Sequence, residues 1–134
     1  MLGYSYCARY LDEEILGRLE NKPRGFWTEE ENSEYRSMEL ARWETAGYPL
    51  WPKNLVEEGV AEVDNRNVLN SVFRLPLKFV IAHITEPNIN GPLIIQETGS
   101  AMRKGSKIGL KVHDDRISQR DPDEIIELER WDMS

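Results

Sequence analysis

The chain is poor in the residues that most often carry chemistry. Among its 134 residues there is one cysteine, Cys7, and there are two histidines, His83 and His113. A lone cysteine forms no internal disulfide, which excludes a disulfide-stapled scaffold and makes a reducing compartment the expectation. A metal site needs three or four converging ligands, which two histidines supply only with help from carboxylates. Long apolar runs are missing as well. None approaches the roughly 20 residues that a bilayer-spanning helix needs. Residues 1–7 have neither a basic stretch nor a long apolar core, unlike a secretory signal, and Leu2 stands where myristoylation requires glycine. The expectation is a cytoplasmic protein with no membrane partner. Internal repeats and low-complexity segments are absent too.

What the chain does contain is the composition of a folded protein, 40% apolar and 31% charged. Its length suits a single domain, residues 1–134, able to bury enough surface to stand without staples. The net charge of −7 is unevenly spread. Residues 1–67 carry 14 acidic and 8 basic side chains, residues 71–120 carry 4 and 8, and the tail is acidic again. Mutual attraction between an acidic and a basic layer is the plain reading; a basic surface for an anionic partner is the sharper one.

Periodicity sets the expected elements. Tyr4, Tyr6, Ala8 and Tyr10 alternate with Ser5, Cys7 and Arg9, which is strand chemistry. A base-stacking platform would look similar but would carry more positive charge. Asp12 caps a helix whose apolar stripe is Leu11, Ile15, Leu16 and Leu19, stopped before Pro23. Thr28 and Glu31 form a capping box for a second helix, expected to run to Ala46 and end at Gly47. Pro52 opens a short third helix, closed by Gly59. Val60 to Val63 reads as a strand, and residues 64–67 as the turn of a hairpin. Residues 71–84 form the longest period-two run and are expected to be the central strand. Strands follow at 93–97 and 107–112, and Asp121 and Pro122 signal a last helix with Ile125, Leu128 and Trp131 inward. The fold class is α+β: a mostly antiparallel sheet of about five strands, N-terminal helices packed on one face, and a short C-terminal helix.

Few constellations point to chemistry. The segment from Gly99 to Lys107 is no phosphate-binding loop, because it lacks the Gly-Lys-Ser/Thr order and leads into a strand. It is a basic hairpin loop. His113, Asp114 and Asp115 follow a strand, and His83 with Glu86 could join them only if the two strands were neighbours. Cys7 in mid-strand reads as a small core residue. Residues 53–63, which include Leu55, Val56, Gly59 and Val60, resemble the passage from recognition helix to wing in winged-helix domains, with the likeness covering 53–75. That resemblance implies DNA reading. However, Pro52 leaves a helix too short for a major groove, and Glu57 and Glu58 would meet repelling phosphates.

The expectation is therefore a small acidic protein that binds another protein, as an inhibitor, adaptor or accessory factor, without catalysis or cofactor of its own and with self-association left open. Trp27, Tyr48 and Trp51 are the candidate aromatic anchors, joined by Arg103, Lys104 and Lys107 from the basic loop. At least one of the three aromatics should be well exposed. The alternatives are nucleic-acid binding through Arg74, Lys78, Arg103, Lys104, Lys107 and Lys111 on one shared face, and a small hydrolase or metal-dependent enzyme using His83 and His113.

Overall fold

A computed structural model describes residues 3–46, 51–66, 69–85, 93–95, 101–103 and 107–132. In chain order the elements are β1 (Gly3–Arg9), α1 (Glu13–Leu19), a 3-10 turn (Arg24–Phe26), α2 (Glu29–Ser37), β2 (Glu39–Ala46), α3 (Trp51–Glu57), β3 (Glu62–Asn65), β4 (Asn70–Pro76), α4 (Leu77–Thr85), β5 (Leu93–Ile95), β6 (Ala101–Arg103), β7 (Lys107–Val112), α5 (Asp114–Ile117) and β8 (Ile125–Asp132). Six strands form one sheet in the order β3-β4-β8-β1-β2-β7, with every pairing antiparallel, and β5 pairs separately with β6. The class is α+β, with one strand more in the main sheet than the periodicity suggests.

The locally coded features are in place. The Asp12 carboxylate accepts from the backbone N–H groups of Glu14 and Ile15, and the Thr28–Glu31 capping box is complete. Gly59 closes α3 at φ +78°, a left-handed conformation that glycine adopts freely. The β3–β4 hairpin forms, but β3 spans Glu62–Asn65 where a strand over 60–63 and a turn over 64–67 are expected, so Asp64 and Asn65 pair with Val72 and Ser71.

Three segments differ from expectation. The strand expected over 71–84 ends at Pro76, and Leu77–Thr85 is a helix. Phe73, Leu75 and Leu77 keep period two, but Leu77, Val80, Ile81 and Ile84 also recur at helical spacing, and Pro76 has no N–H to extend the ladder. His83 thus lies on a helix, not at a strand end. The second segment is 38–46. The helix begun at Thr28 stops at Ser37, and β2 follows. Ala41, Trp43 and Thr45 are buried while Arg42 is exposed, and pairing on both sides with β1 and β7 outweighs the helix propensity of these residues. The third is the C-terminal stretch. Residues 121–124 are a turn, not the start of a helix, and Ile125–Asp132 is a strand between β4 and β1. The turn's carbonyls have another use: Leu77 N–H donates to Glu124 O at 2.8 Å and Lys78 N–H to Pro122 O at 2.8 Å, satisfying free amides at the start of α4. The centre of the sheet is therefore β8 beside β1.

The core sits on one face. Tyr6, Ala8, Ala41, Trp43, Phe73, Leu75, Ile126 and Leu128 are buried there, with Leu77 and Val80 of α4 in the same cluster and Trp51, Leu55 and Val56 of α3 packed against it. Each large side chain so buried contributes roughly 1.5–3 kcal/mol. The segment that resembles a recognition helix, α3, thus spends its apolar side on the sheet. The opposite face is polar, and α2 meets it where the Tyr35 ring lies over the Arg9 guanidinium.

Candidate functional site

Antiparallel register arranges the polar face as three rows across the strands. Asn70, Trp131, Ser5, Glu44 and Ile108 form the first; Asp64, Val72, Glu129, Cys7, Arg42 and Lys111 the second; Glu62, Arg74, Glu127, Arg9 and Glu39 the third. Charge alternates in sign along the whole third row, which favours each cross-strand neighbour.

Arg9 is only 4% exposed. Its Nη1 donates to Glu127 Oε2 and its Nη2 to Glu129 Oε1, both at 3.0 Å. Arg66 reaches Glu127 at 3.6 Å, and Asn70 Nδ2 donates to Glu129 at 3.3 Å. Glu39 is a second hub. Its Oε1 accepts from Arg42 Nε at 2.6 Å and from the Cys7 thiol at 3.6 Å, and its Oε2 lies 2.8 Å from His113 Nε2. Burial pushes the Glu39 carboxyl up, but the bonds from His113 and Arg42 outweigh it and hold the group below its ordinary value. Burial pushes the Cys7 thiol up, so it stays protonated and serves as a donor rather than a nucleophile.

An open cavity of about 450 Å³ lies over these rows. Ser5, Cys7 and Arg9 of β1, Arg42 and Glu44 of β2, and Glu129 and Trp131 of β8 line its floor. Ile108 and Gly109 of β7 and Arg24 of the 3-10 turn also line it, as do Tyr6 and Trp43. Arg24 stacks over two rings, Tyr35 at 4.9 Å and Trp27 at 5.6 Å from the ring centroids. Trp131 in the lining is 39% exposed, and Phe26, outside the lining but on the same 3-10 turn as Arg24, is 72% exposed.

The anchors expected from sequence are scattered. Trp27 is half-buried, donating its indole N–H to Lys22 O at 3.0 Å with its ring against Tyr35. Trp51 is half-buried on the other side of the sheet, stacked on His83 at 4.6 Å. Lys107 donates from Nζ to His83 O at 2.8 Å. Arg103 lies in β6, paired through its backbone with Leu93. Tyr48 and Lys104 lie outside the described residues. The two described aromatics are therefore not brought together. Four other cations of the basic strand region also lie apart. Arg74 sits between Glu62 and Glu127, Lys111 faces Arg42, Lys78 pairs with Asp123 at 3.0 Å, and Lys107 points to the helical face.

The histidines meet different neighbours. His83 lies between the rings of Trp43 and Trp51 on the apolar face, where burial and the Lys107 charge bring it down to about 4, so the imidazole is neutral. His113 meets Glu39 on the polar face. Among the described residues no group of three or more His, Cys, Asp or Glu side chains could hold a metal ion. No described helix is long and apolar enough to cross a membrane.

Arg24, Glu44, Glu129 and Trp131 were not singled out as site residues from sequence. The signal for part of the set was the alternation over 125–132, in which Glu127, Glu129 and Trp131 fall opposite Ile126 and Leu128. What the geometry defines is an α+β protein whose antiparallel sheet has one face sealed by helices and one face bearing an open, charged cavity. The chain matches no protein-family model, no curated protein and no solved structure.

Proposed function

We propose that the protein acts by binding another protein, as an inhibitor, adaptor or accessory factor, and that it does so through the rim of the polar-face cavity without catalysis of its own. The observation that carries this reading is the rim itself. Arg24 and Trp131 line one concavity, Phe26 is exposed on the same 3-10 turn as Arg24, and arginine and large aromatic side chains are the residues on which interface energy concentrates. The cysteine and both histidines are engaged otherwise. The Cys7 thiol is held protonated, His83 is stacked on Trp51 with Trp43 tilted against it, and His113 is tied to Glu39. Cys7 as a free thiol suits a cytoplasmic setting.

The test is affinity capture of the tagged chain and of a Phe26→Ala/Trp131→Ala double variant from host lysate, with and without nuclease, read by mass spectrometry. We expect a stoichiometric protein that survives nuclease and is depleted on the variant. A protein retained equally by both, or lost after nuclease, refutes the reading.

A further inference from the structure

We infer that the cavity receives a short peptide segment of the protein partner that carries both charges, a carboxylate for Arg24 and an ammonium or guanidinium for Glu44. This rests on the reading of the rim as a protein-binding surface.

Five charged side chains line the cavity: Arg9, Arg24, Arg42, Glu44 and Glu129. Three of them are spent within the fold. Arg9 and Glu129 bind each other, and Arg42 binds Glu39. The side chains of Arg24 and Glu44 make no ion pair or hydrogen bond with the described residues, so each has its full capacity for a ligand. Arg24 is already ordered. Its guanidinium stacks on Tyr35 and Trp27, which occupies its face and leaves its N–H edge free to grip a carboxylate. Glu44 is fixed on β2, opposite Ser5 and Ile108 in the first row. Holding both groups in place beforehand lowers the ordering cost of binding.

Charge complementarity selects the occupant. A purely acidic segment would face Glu44 and Glu129 as well as Arg24, and a purely basic one would face Arg9, Arg24 and Arg42. Like-charge contacts of that kind exclude wrong partners. A segment bearing one charge of each sign meets both unpaired groups and repels neither. The volume of about 450 Å³ lies within the range typical of small-ligand pockets, about 300–1,000 Å³. It therefore takes a few side chains and not a folded element, and Trp131 in the lining offers an apolar surface for their stems.

The experiment titrates the intact chain with peptides blocked at both ends. Asp-Gly-Lys and Lys-Gly-Asp carry both charges, while Asn-Gly-Lys and Asp-Gly-Gln each lack one. Binding is followed by the NMR signal of the Trp131 indole N–H. We expect one of the doubly charged peptides to bind at least tenfold more tightly than either singly charged analogue. Arg24→Gln should abolish the preference for Asp over Asn while keeping that for Lys over Gln, and Glu44→Gln should do the reverse. Equal affinities for all four peptides, or no titration, overturn the inference on the unaltered chain, whatever the variants do. A captured protein that needs Phe26 and Trp131 but binds Arg24→Gln and Glu44→Gln undiminished overturns the inference and leaves the protein-binding reading standing. Peptides that discriminate as expected, with no protein captured through the rim, keep the site and remove that reading.

Discussion

Arg9 shows how much of the polar face is decided by single side chains. Its buried guanidinium is tolerable only because Glu127 and Glu129 accompany it, since removing one partner of such a set leaves an uncompensated charge that costs about 3–5 kcal/mol. The alternation of Tyr4, Tyr6 and Ala8 with Ser5, Cys7 and Arg9 is readable from strand period alone. The two carboxylates that complete Arg9 are far away in sequence and arrive only through sheet pairing. His83 carries a pH dependence of its own. It titrates near about 4 in the folded chain and near about 6.5 when unfolded. Below 6.5 the unfolded chain takes up a proton that the folded chain refuses. Stability should therefore be complete above that pH and decline as pH falls toward 4, by at most about 3 kcal/mol. Glu39, held below its usual range, adds its own loss, which begins as pH falls past the ordinary glutamate value of about 4.5. Urea unfolding at steps between pH 7 and 4.5 reads this, and His83→Gln should flatten the slope. An unchanged slope in that variant would assign the effect elsewhere. Thr45 offers an opposite test. It is fully buried, and its hydroxyl has no hydrogen-bond partner among the described residues. Thr45→Val removes that unpaired group at nearly constant shape, and the unfolding free energy should rise by about 1 kcal/mol. A loss of stability would mean that the hydroxyl has a use.

Elements whose signals are local were legible in the sequence, and elements decided by long-range pairing were not. The Asp12 cap, the Thr28–Glu31 box and the Gly59 stop lie within a few residues of the turns they control, and all three are present. By contrast, β2 and β8 follow helix-start signals at Thr28 and Asp121 and carry apolar residues three or four apart, so both also fit a helix. They are strands because each has a neighbour on both sides: β1 and β7 for β2, β4 and β1 for β8. The switch from β4 to α4 at Pro76 was hidden because Leu77 satisfies both periods. A measurement at this scale concerns Gly59. A Cβ there would meet nothing within 4 Å among the described residues, so the cost of Gly59→Ala is that of its φ of +78°. We expect a loss of about 1 kcal/mol in chemical denaturation, the penalty of a left-handed alanine. A neutral result would show that the α3 exit relaxes to another conformation.

At the scale of the whole molecule, strand order is what makes the site. The rows that place Trp131 beside Ser5 and Glu44, and Glu129 beside Cys7 and Arg42, exist only because β8, β1 and β2 are adjacent. Nothing in the composition of those segments encodes that adjacency. Choosing anchors by residue type alone therefore led to Trp27, Tyr48 and Trp51, of which the fold half-buries Trp27 and Trp51 in separate places, and not to Phe26 and Trp131, which it leaves open. The helices divide the labour: α3 and α4 seal the apolar face, while α2 and the 3-10 turn hold Tyr35 and Arg24 over the other face without closing it. The measurement that bears most directly on protein binding at this rim is calorimetric titration of the purified partner with the unaltered chain, with Phe26→Ala and with Trp131→Ala. We expect each variant to lose about 2 kcal/mol of binding free energy, roughly a 30-fold weakening, with the folding midpoint preserved. Affinities within twofold of the unaltered chain for both variants would contradict a binding surface at the cavity rim.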